Sequence, residues 1–383
     1  MIISVITFLL NLIITKDISI AITRFVTVLV VACPCSLGLA TPLALVVSVG
    51  TSAKKGVLIK DSESLETANK VDTVVLDKTG TLTNGTLNIS EINIHSDLPK
   101  DKVLEILVSL EKYSTHPISS GISKYAKEEK IEGNLDLTIE ELPGFGIKGK
   151  DEKNTYYACN ASLLKKLDII NSYEAEEKKM AKDGNSVIYL VKNKKVIATF
   201  GLKDVVRKES IKLVRALKDK NIEVVMLSGD NEITCKKIAE ELEIENIMAG
   251  VTPKEKTEYI KKRIKEGRKV MMVGDGINDA PSLTSATIGV SLSSGTDIAT
   301  NAANIVLVTN NISRIIDIIH ISKTTMKNIK ENLFWAFFYN ILMIPIATGI
   351  IPKLEINPMI ACIAMIISSL TVTLNALRLK KIK

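Results

Sequence analysis

The sequence predicts a multi-domain membrane protein: α-helical transmembrane segments carry an α/β water-soluble part, a doubly wound sheet domain with a second α/β domain inserted into it. Three observations lead there. Apolar residues fill 46% of the 383 positions against 24% charged, and the two populations are segregated along the chain. The central region alternates short apolar runs with amphipathic helical patterns. Asp77, Asp230 and Asp275 each follow such a run closely, as expected where parallel strands present their carboxyl ends to a ligand.

The transmembrane elements come first. Residues 2–15 are apolar but short. They lack the basic start and small-residue cleavage site of a signal peptide, and read as a membrane helix without its beginning. Residues 18–50 are interrupted only by Arg24, and residues 333–352 and 356–377 carry no charge. Each of the three is long enough to cross a bilayer, which takes ~20 apolar residues. The plainer alternative is buried helices of a large soluble core. Basic flanks argue for the bilayer. Lys54 and Lys55, then Lys323, Lys327 and Lys330, then Arg378, Lys380, Lys381 and Lys383 fall on one side if four helices cross alternately. The opposite loops hold only Lys16 and Asp17, and Lys353 and Glu355. That is a positive-inside pattern with the central region and C-terminus cytoplasmic. The net charge of +7 is thereby accounted for. No aromatic–basic interleaving accompanies it, so nucleic acid is not an expected partner.

The expected domains are a helix pair over 1–50, a sheet domain over 51–83 and 201–331, an inserted domain over 84–200 and a second helix pair over 332–379. Strands are expected at 73–76, 223–227, 270–273, 287–290 and 305–308, with helices at Lys208–Lys218 and Glu232–Leu242 between them. The five cysteines do not form a disulfide framework: Cys33, Cys35 and Cys362 lie in apolar segments, Cys159 and Cys235 in the cytosolic part.

The most informative run is Asp77-Lys78-Thr79-Gly80-Thr81-Leu82-Thr83, directly after the apolar Val71-Asp72-Thr73-Val74-Val75-Leu76. It puts a carboxylate at a strand end before a tight Gly turn rich in N–H groups and hydroxyls. An aspartate so placed can attack a phosphoryl group, and the turn can bind the transferred phosphate. A surface turn is the bland reading of any four of these residues. Val273-Gly274-Asp275-Gly276-Ile277-Asn278-Asp279 supplies a second strand-end acidic loop, in which Asp275 can share a Mg²⁺ with Asp77. Thr252-Pro253-Lys254 offers a cation for phosphate oxygens, and Ser228-Gly229-Asp230 a hydroxyl and backbone donors.

These motifs resemble those of P-type ATPases, ion pumps that pass through an aspartyl-phosphate. The resemblance implies a haloacid dehalogenase-like phosphorylation domain in which Asp77 takes the γ-phosphate of ATP. It assigns phosphate and metal contacts to Asp77, Lys78, Thr79, Thr81, Ser228, Lys254, Asp275, Asn278 and Asp279, with Asp77, Thr79 and Asp275 on Mg²⁺. In the inserted domain, Glu111, His116 (in Ser114-Thr115-His116-Pro117), Gly144, Gly146 and Asn160 match the nucleotide-binding set of the heavy-metal pumps. There, Thr115 replaces a usually acidic residue and Cys159 a usual glycine.

Cys33-Pro34-Cys35, followed by Ser36-Leu37-Gly38-Leu39-Ala40-Thr41-Pro42, resembles the ion-site helix of those pumps. Alone, the two cysteines are ordinary small core residues. Proline breaks the helix, and thiolates select soft ions. Tyr339-Asn340 and Met365 with Ser368-Ser369 match the Cu(I) branch, so Cys33, Cys35, Tyr339, Asn340, Met365 and Ser369 are the expected Cu(I) ligands. Polar groups at that depth are costly enough to suggest function. A Zn²⁺ or Cd²⁺ pump would place a lysine and an aspartate in the last two segments, which have neither. The expectation is therefore ATP-driven Cu(I) export in the plasma membrane of a prokaryote, with a copper chaperone or an actuator-bearing polypeptide as partners. No Thr-Gly-Glu hydrolysis loop occurs in the sequence, so the isolated chain is expected to bind ATP and phosphorylate Asp77 but turn over poorly. The alternatives are a Zn²⁺/Cd²⁺ pump, a non-pumping copper-binding remnant and a small-molecule phosphatase.

Overall fold

The computed structural model describes residues 1–112, 117–142, 145–230, 232–351 and 354–382. Contacts divide the chain into two compact units, one of Met1–Lys70, Asn304–Thr309 and Arg314–Lys383, the other of Val71–Ala303 and Asn310–Ser313.

The first unit is built on the helices Ile2–Thr15, Ile18–Val31, Cys35–Lys54, Arg314–Ala347 and Pro358–Leu377. Asp17 starts the second of them by accepting from the Ser19 and Ile20 amides at 2.8 and 3.3 Å. Asn357 starts the last by accepting from the Ile360 amide at 2.9 Å. Both are side-chain oxygens satisfying orphan N–H groups at a helix start. Pro34 breaks the long apolar segment: the helix ends at Val31 and resumes at Cys35. Ile18–Lys54 and Pro358–Lys381 are long and apolar enough to cross a bilayer. Phe334, Phe337, Ile341, Ile363 and Ile366 stand exposed on the helices, as lipid-facing residues do. Inside, hydroxyl pairs tie helices together, with Ser48 Oγ 2.6 Å from Thr325 Oγ1 and Ser36 Oγ 2.9 Å from Ser368 Oγ. Arg24 is tolerated because it is satisfied: its guanidinium bonds Asn11 Oδ1 and pairs with Glu355 at 3.0 Å. The strand expected over 305–308 lies in this unit as Ile305–Leu307. It pairs antiparallel with Val57–Ile59, too short a run for its pattern to announce a strand.

The second unit holds two sheets. In the first, the strands Ile288–Leu292, Val270–Gly274, Thr73–Asp77, Glu223–Leu227 and Asn246–Met248 lie side by side in that order, all parallel. Lys208–Lys218, Glu232–Leu242 and Pro253–Lys265 are crossover helices. Val74, Val75, Leu76, Met271, Met272 and Val273 are fully buried. Burial on both faces explains why these strands read as continuous apolar runs, and each such side chain contributes ~1.5–3 kcal/mol of burial.

The second sheet is antiparallel, in the order Thr83–Ile94, Lys195–Val206, Ser186–Lys192, Thr155–Cys159, Gly146–Lys150 and Thr138–Leu142. Its helices include Lys100–Glu111 and Pro117–Glu128. Leu104, Leu107, Leu110, Ile122, Leu190 and Phe200 form its core. The chain leaves the first sheet along Thr83–Ile94 and returns along Lys195–Val206. Thr83 opposes Val206, so the two connectors brace one another directly beside Asp77.

Candidate phosphorylation centre and ion site

Asp77 ends a strand flanked by two parallel neighbours, with Leu76 opposite Val273 and Asp77 opposite Leu227. That register brings Asp275 and Ser228, each just past the end of its own strand, to the same sheet edge. The oxygens of Asp77, Asp275 and Asp279 lie within 4.8 Å of one another. The third carboxylate of this group is Asp279. Asp230, which also follows a strand end, pairs instead with the buried Lys78.

Lys256 carries the neutralising charge. Its Nζ bonds Asp77 and reaches Asp279 Oδ1 at 2.9 Å, with all three side chains buried. This corrects the expectation for Lys254, whose side chain is 86% exposed and, among the described residues, pairs with Glu258 at 3.9 Å. Thr252 caps the helix Pro253–Lys265 through a capping box, and Lys256, half a turn beyond Lys254, is on the face turned to the sheet.

The electrostatics follow from the crowding. Burial, then the Asp279 charge, push the Asp77 carboxyl up to about 7 despite Lys256. Burial, then Asp279, raise Asp275 to about 6 against the pull of Arg207. Carboxylates this close cannot all ionise cheaply without a cation. The donors are all hard oxygens, the set that suits Mg²⁺.

The loop after Asp77 is equally constrained. Gly80 has φ +73°, and a Cβ there would lie 1.9 Å from Asp275 Oδ2, so only glycine fits. Arg207 holds the loop from behind, donating from Nη2 to Gly80 O at 2.7 Å and from Nε to Thr83 O at 2.9 Å. Buried Asp204 accepts from Thr83 Oγ1 at 2.5 Å and from the Gly85 amide at 3.2 Å. Neither Arg207 nor Asp204 figured among the expected site residues. Their sequence signal is slight: Asp204 interrupts the apolar run near the end of the returning strand, and Arg207 follows that strand directly. Thr81 Oγ1 is buried with no partner among the described residues, a hydroxyl in the loop after Asp77 of the kind a phosphate oxygen would satisfy. Ser228 is buried, whereas Thr79 and Asn278 face solvent.

In the inserted domain, Glu111 is buried at the end of its helix and accepts from Ser119 Oγ. Burial raises its carboxyl above the usual range. Gly146 has φ +133° and opposes Cys159, so a Cβ would meet Ala158 O at 2.1 Å. Asn160 accepts from the Leu163 amide at 3.1 Å, and its own amide bonds Phe145 O at 3.0 Å. Gly146 and Asn160 are therefore neighbours across one hairpin end. His116 and Gly144 lie outside the described residues.

In the helical unit, one cavity is lined by Cys33, Ser36, Tyr339, Asn340, Met343, Met365 and Ser368, with Val31, Ala361 and Ala364. Ser369 adjoins it through Ser36, 3.1 Å away. The structure thus gathers four of the expected ligands, Cys33, Tyr339, Asn340 and Met365, around one space. It departs from expectation at the cysteines: Cys33 and Cys35 are joined as a disulfide. The turn at Pro34 brings their Cα atoms to 5.6 Å, inside bridging range. Bridged sulfurs are not thiolates, so the pair must be reduced before it can ligate a metal.

A family model for haloacid dehalogenase-like hydrolases matches residues 71–287, and the chain belongs to that family. P-type ATPases are among the relatives of this chain. A probable copper-transporting P-type ATPase B of Staphylococcus aureus (strain USA300 / TCH1516) is 39% identical over 381 residues, 99% of this chain and 56% of the relative. The chain therefore spans about half the length of the curated relatives it matches. The crystal structure of a zinc-transporting PIB-type ATPase in its E2.Pi state superposes with a TM-score of 0.83 at 27% identity, over 99% of this chain and 61% of that one. The catalytic domain of the CPx-ATPase CopB-B gives a TM-score of 0.58 at 30% identity, over 71% of this chain and 98% of the domain. The chain is a membrane protein of mixed helical and α/β architecture.

Proposed function

We propose that this chain is the catalytic and ion-binding portion of an ATP-hydrolysing pump that exports Cu(I) through an aspartyl-phosphate on Asp77. The observation that carries the reading is the buried Asp77, bonded by Lys256 and crowded by Asp275 and Asp279, at the end of a parallel strand. Bound there, Mg²⁺ would supply positive charge to the phosphoryl oxygens and to the carboxylates. An Asp77 oxygen attacks the γ-phosphorus, the new O–P bond forms as the bond to the leaving oxygen breaks, and ADP departs with the electron pair. Lys256 and Thr81 Oγ1 offer donors to the transferred phosphoryl group, while Arg207 and Asp204 hold the loop still. Such preorganised positioning is the protein's main contribution to phosphoryl transfer. Glu111, Gly146 and Asn160, with His116 and Gly144, are assigned to ATP.

Reduced Cys33 and Cys35, with Tyr339, Asn340, Met365 and Ser369, are assigned to Cu(I). Phosphorylation couples to that site only if the ion binds two states of the helices differently. The plasma membrane of a prokaryote is the proposed location, with the catalytic unit cytoplasmic and a copper chaperone and an actuator-bearing segment as protein partners. A Zn²⁺ or Cd²⁺ cargo is disfavoured because residues 333–352 and 356–377 contain neither lysine nor aspartate. The test is acid-stable labelling of membranes with γ-labelled ATP, for wild type and Asp77→Asn, with Cu(I) and with a Cu(I) chelator. Label that requires both Asp77 and Cu(I) is expected. Label retained by Asp77→Asn would overturn the assignment of the nucleophile, and label indifferent to Cu(I) the assignment of the cargo.

A further inference from the structure

We propose that Met343 is a further soft donor at the ion cavity, so that two helices and the break at Pro34 each contribute a sulfur: Met343, Met365 and Cys33. The inference rests on the Cu(I) reading above and extends its ligand set. Met343 follows Tyr339 by four residues and Asn340 by three on the helix Arg314–Ala347, which puts all three on one face. It lines the same cavity as Cys33 and Met365. The other lining groups are hydroxyls, an amide, a phenol and small apolar side chains, none of them a strong ligand for a soft monovalent ion. Pro345, two residues further on, lies inside this helix. It has no N–H to give to the carbonyl one turn back and opens the helix locally.

Met343 also packs against the buried Val28, Val31, Ala347 and Ala361, and filling space is the alternative account of it. The two accounts separate cleanly. Leucine has nearly the volume of methionine and serves packing at small cost, but it has no sulfur. A thioether selects Cu(I) and is a poor ligand for harder divalent ions, so Met343 would bias the site toward Cu(I) once Cys33 and Cys35 are reduced.

The experiment uses the full chain in detergent with a thiol-free reductant. Cu(I) affinity is measured against a chromophoric Cu(I) chelator, and melting temperature in parallel, for wild type, Met343→Leu, Met365→Leu and Cys33→Ser. Met343→Leu is expected to melt like wild type and to weaken Cu(I) binding by at least about tenfold, the scale at which even outer-shell partners act on metal affinity. Zn²⁺ binding should not move. If Met343→Leu binds Cu(I) like wild type while Met365→Leu and Cys33→Ser lose it, Met343 is packing and the proposal fails. If none of the three variants changes Cu(I) binding, the ion-site reading fails with it. Should Met343→Leu not fold, X-ray absorption on copper-loaded, selenomethionine-labelled protein replaces it. Copper–selenium scattering from both Met343 and Met365 is expected, and scattering from a single selenium overturns the proposal.

Discussion

Replacing Lys256 by methionine tests the electrostatic account of the proposed phosphorylation centre. The substitution keeps the buried stem and removes the charge. At 2.9 Å and an effective dielectric of ~20, the Lys256–Asp279 attraction alone is about 6 kcal/mol, part of it returned as desolvation. Removing one partner of such a buried pair costs about 3–5 kcal/mol when the remaining charges stay ionised. They need not stay ionised. Asp77 already titrates at about 7, and without Lys256 its folded-state value rises further. A carboxyl raised on folding favours the folded state while protonated, and that advantage disappears as pH climbs through the folded value. The loss in Lys256→Met should therefore be small near about pH 5.5 and grow above about pH 7, by at most ~1.4 kcal/mol per pH unit, toward the full figure. Mg²⁺ should restore much of it. Thermal melts of the full chain at about pH 5.5 and about pH 8, with and without Mg²⁺, read the effect, and γ-labelled ATP reads phosphorylation, expected to be lost. Lys254→Met is the control, since that side chain is 86% exposed, and it should behave as wild type. Equal stability of Lys256→Met at the two pH values, or normal labelling, would refute the reasoning.

Three further outcomes are expected. Because Asp77 is raised to about 7 and Asp275 to about 6, Mg²⁺ must displace protons. Its apparent affinity should climb as pH rises through that window, with proton release in calorimetry, and an affinity flat in pH would contradict the shifts. Gly80→Ala meets both a positive φ and a carboxylate 1.9 Å from its new methyl. It should lose about 1–3 kcal/mol from backbone strain alone and all phosphorylation, which melting and labelling would measure; a labelled variant would mean that the loop relaxes freely. Arg207→Ala gives up two donations to loop carbonyls, at 2.7 and 2.9 Å, each worth about 1.5–3 kcal/mol when the donor is charged. It should slow labelling more than it weakens ATP binding, with partial rescue by Arg207→Lys.

Much of this protein was determined by sequence alone, because the physics involved is local or periodic. Strands buried on both faces must be apolar throughout, so Glu223–Leu227 and Val270–Gly274 could be read from composition. Asp77 and Asp275 followed from strand-end placement, and the bilayer segments from the length of their uncharged runs. Three-residue strands such as Val57–Ile59 and Asn246–Met248 exist only through their neighbours, and no pattern that short is distinctive. Tertiary structure alone decided the rest. Lys254 and Lys256 are two near-identical candidates on one helix turn, and only the packing of Pro253–Lys265 against the sheet buries one and exposes the other. Asp279 rather than Asp230 completes the carboxylate group because a helical turn after Asp275 folds it back. Met343 faces the cavity because the helices cross where they do, and Cys33 meets Cys35 because the chain turns at Pro34. Such choices depend on which face of an element meets which neighbour, a property of the assembled fold.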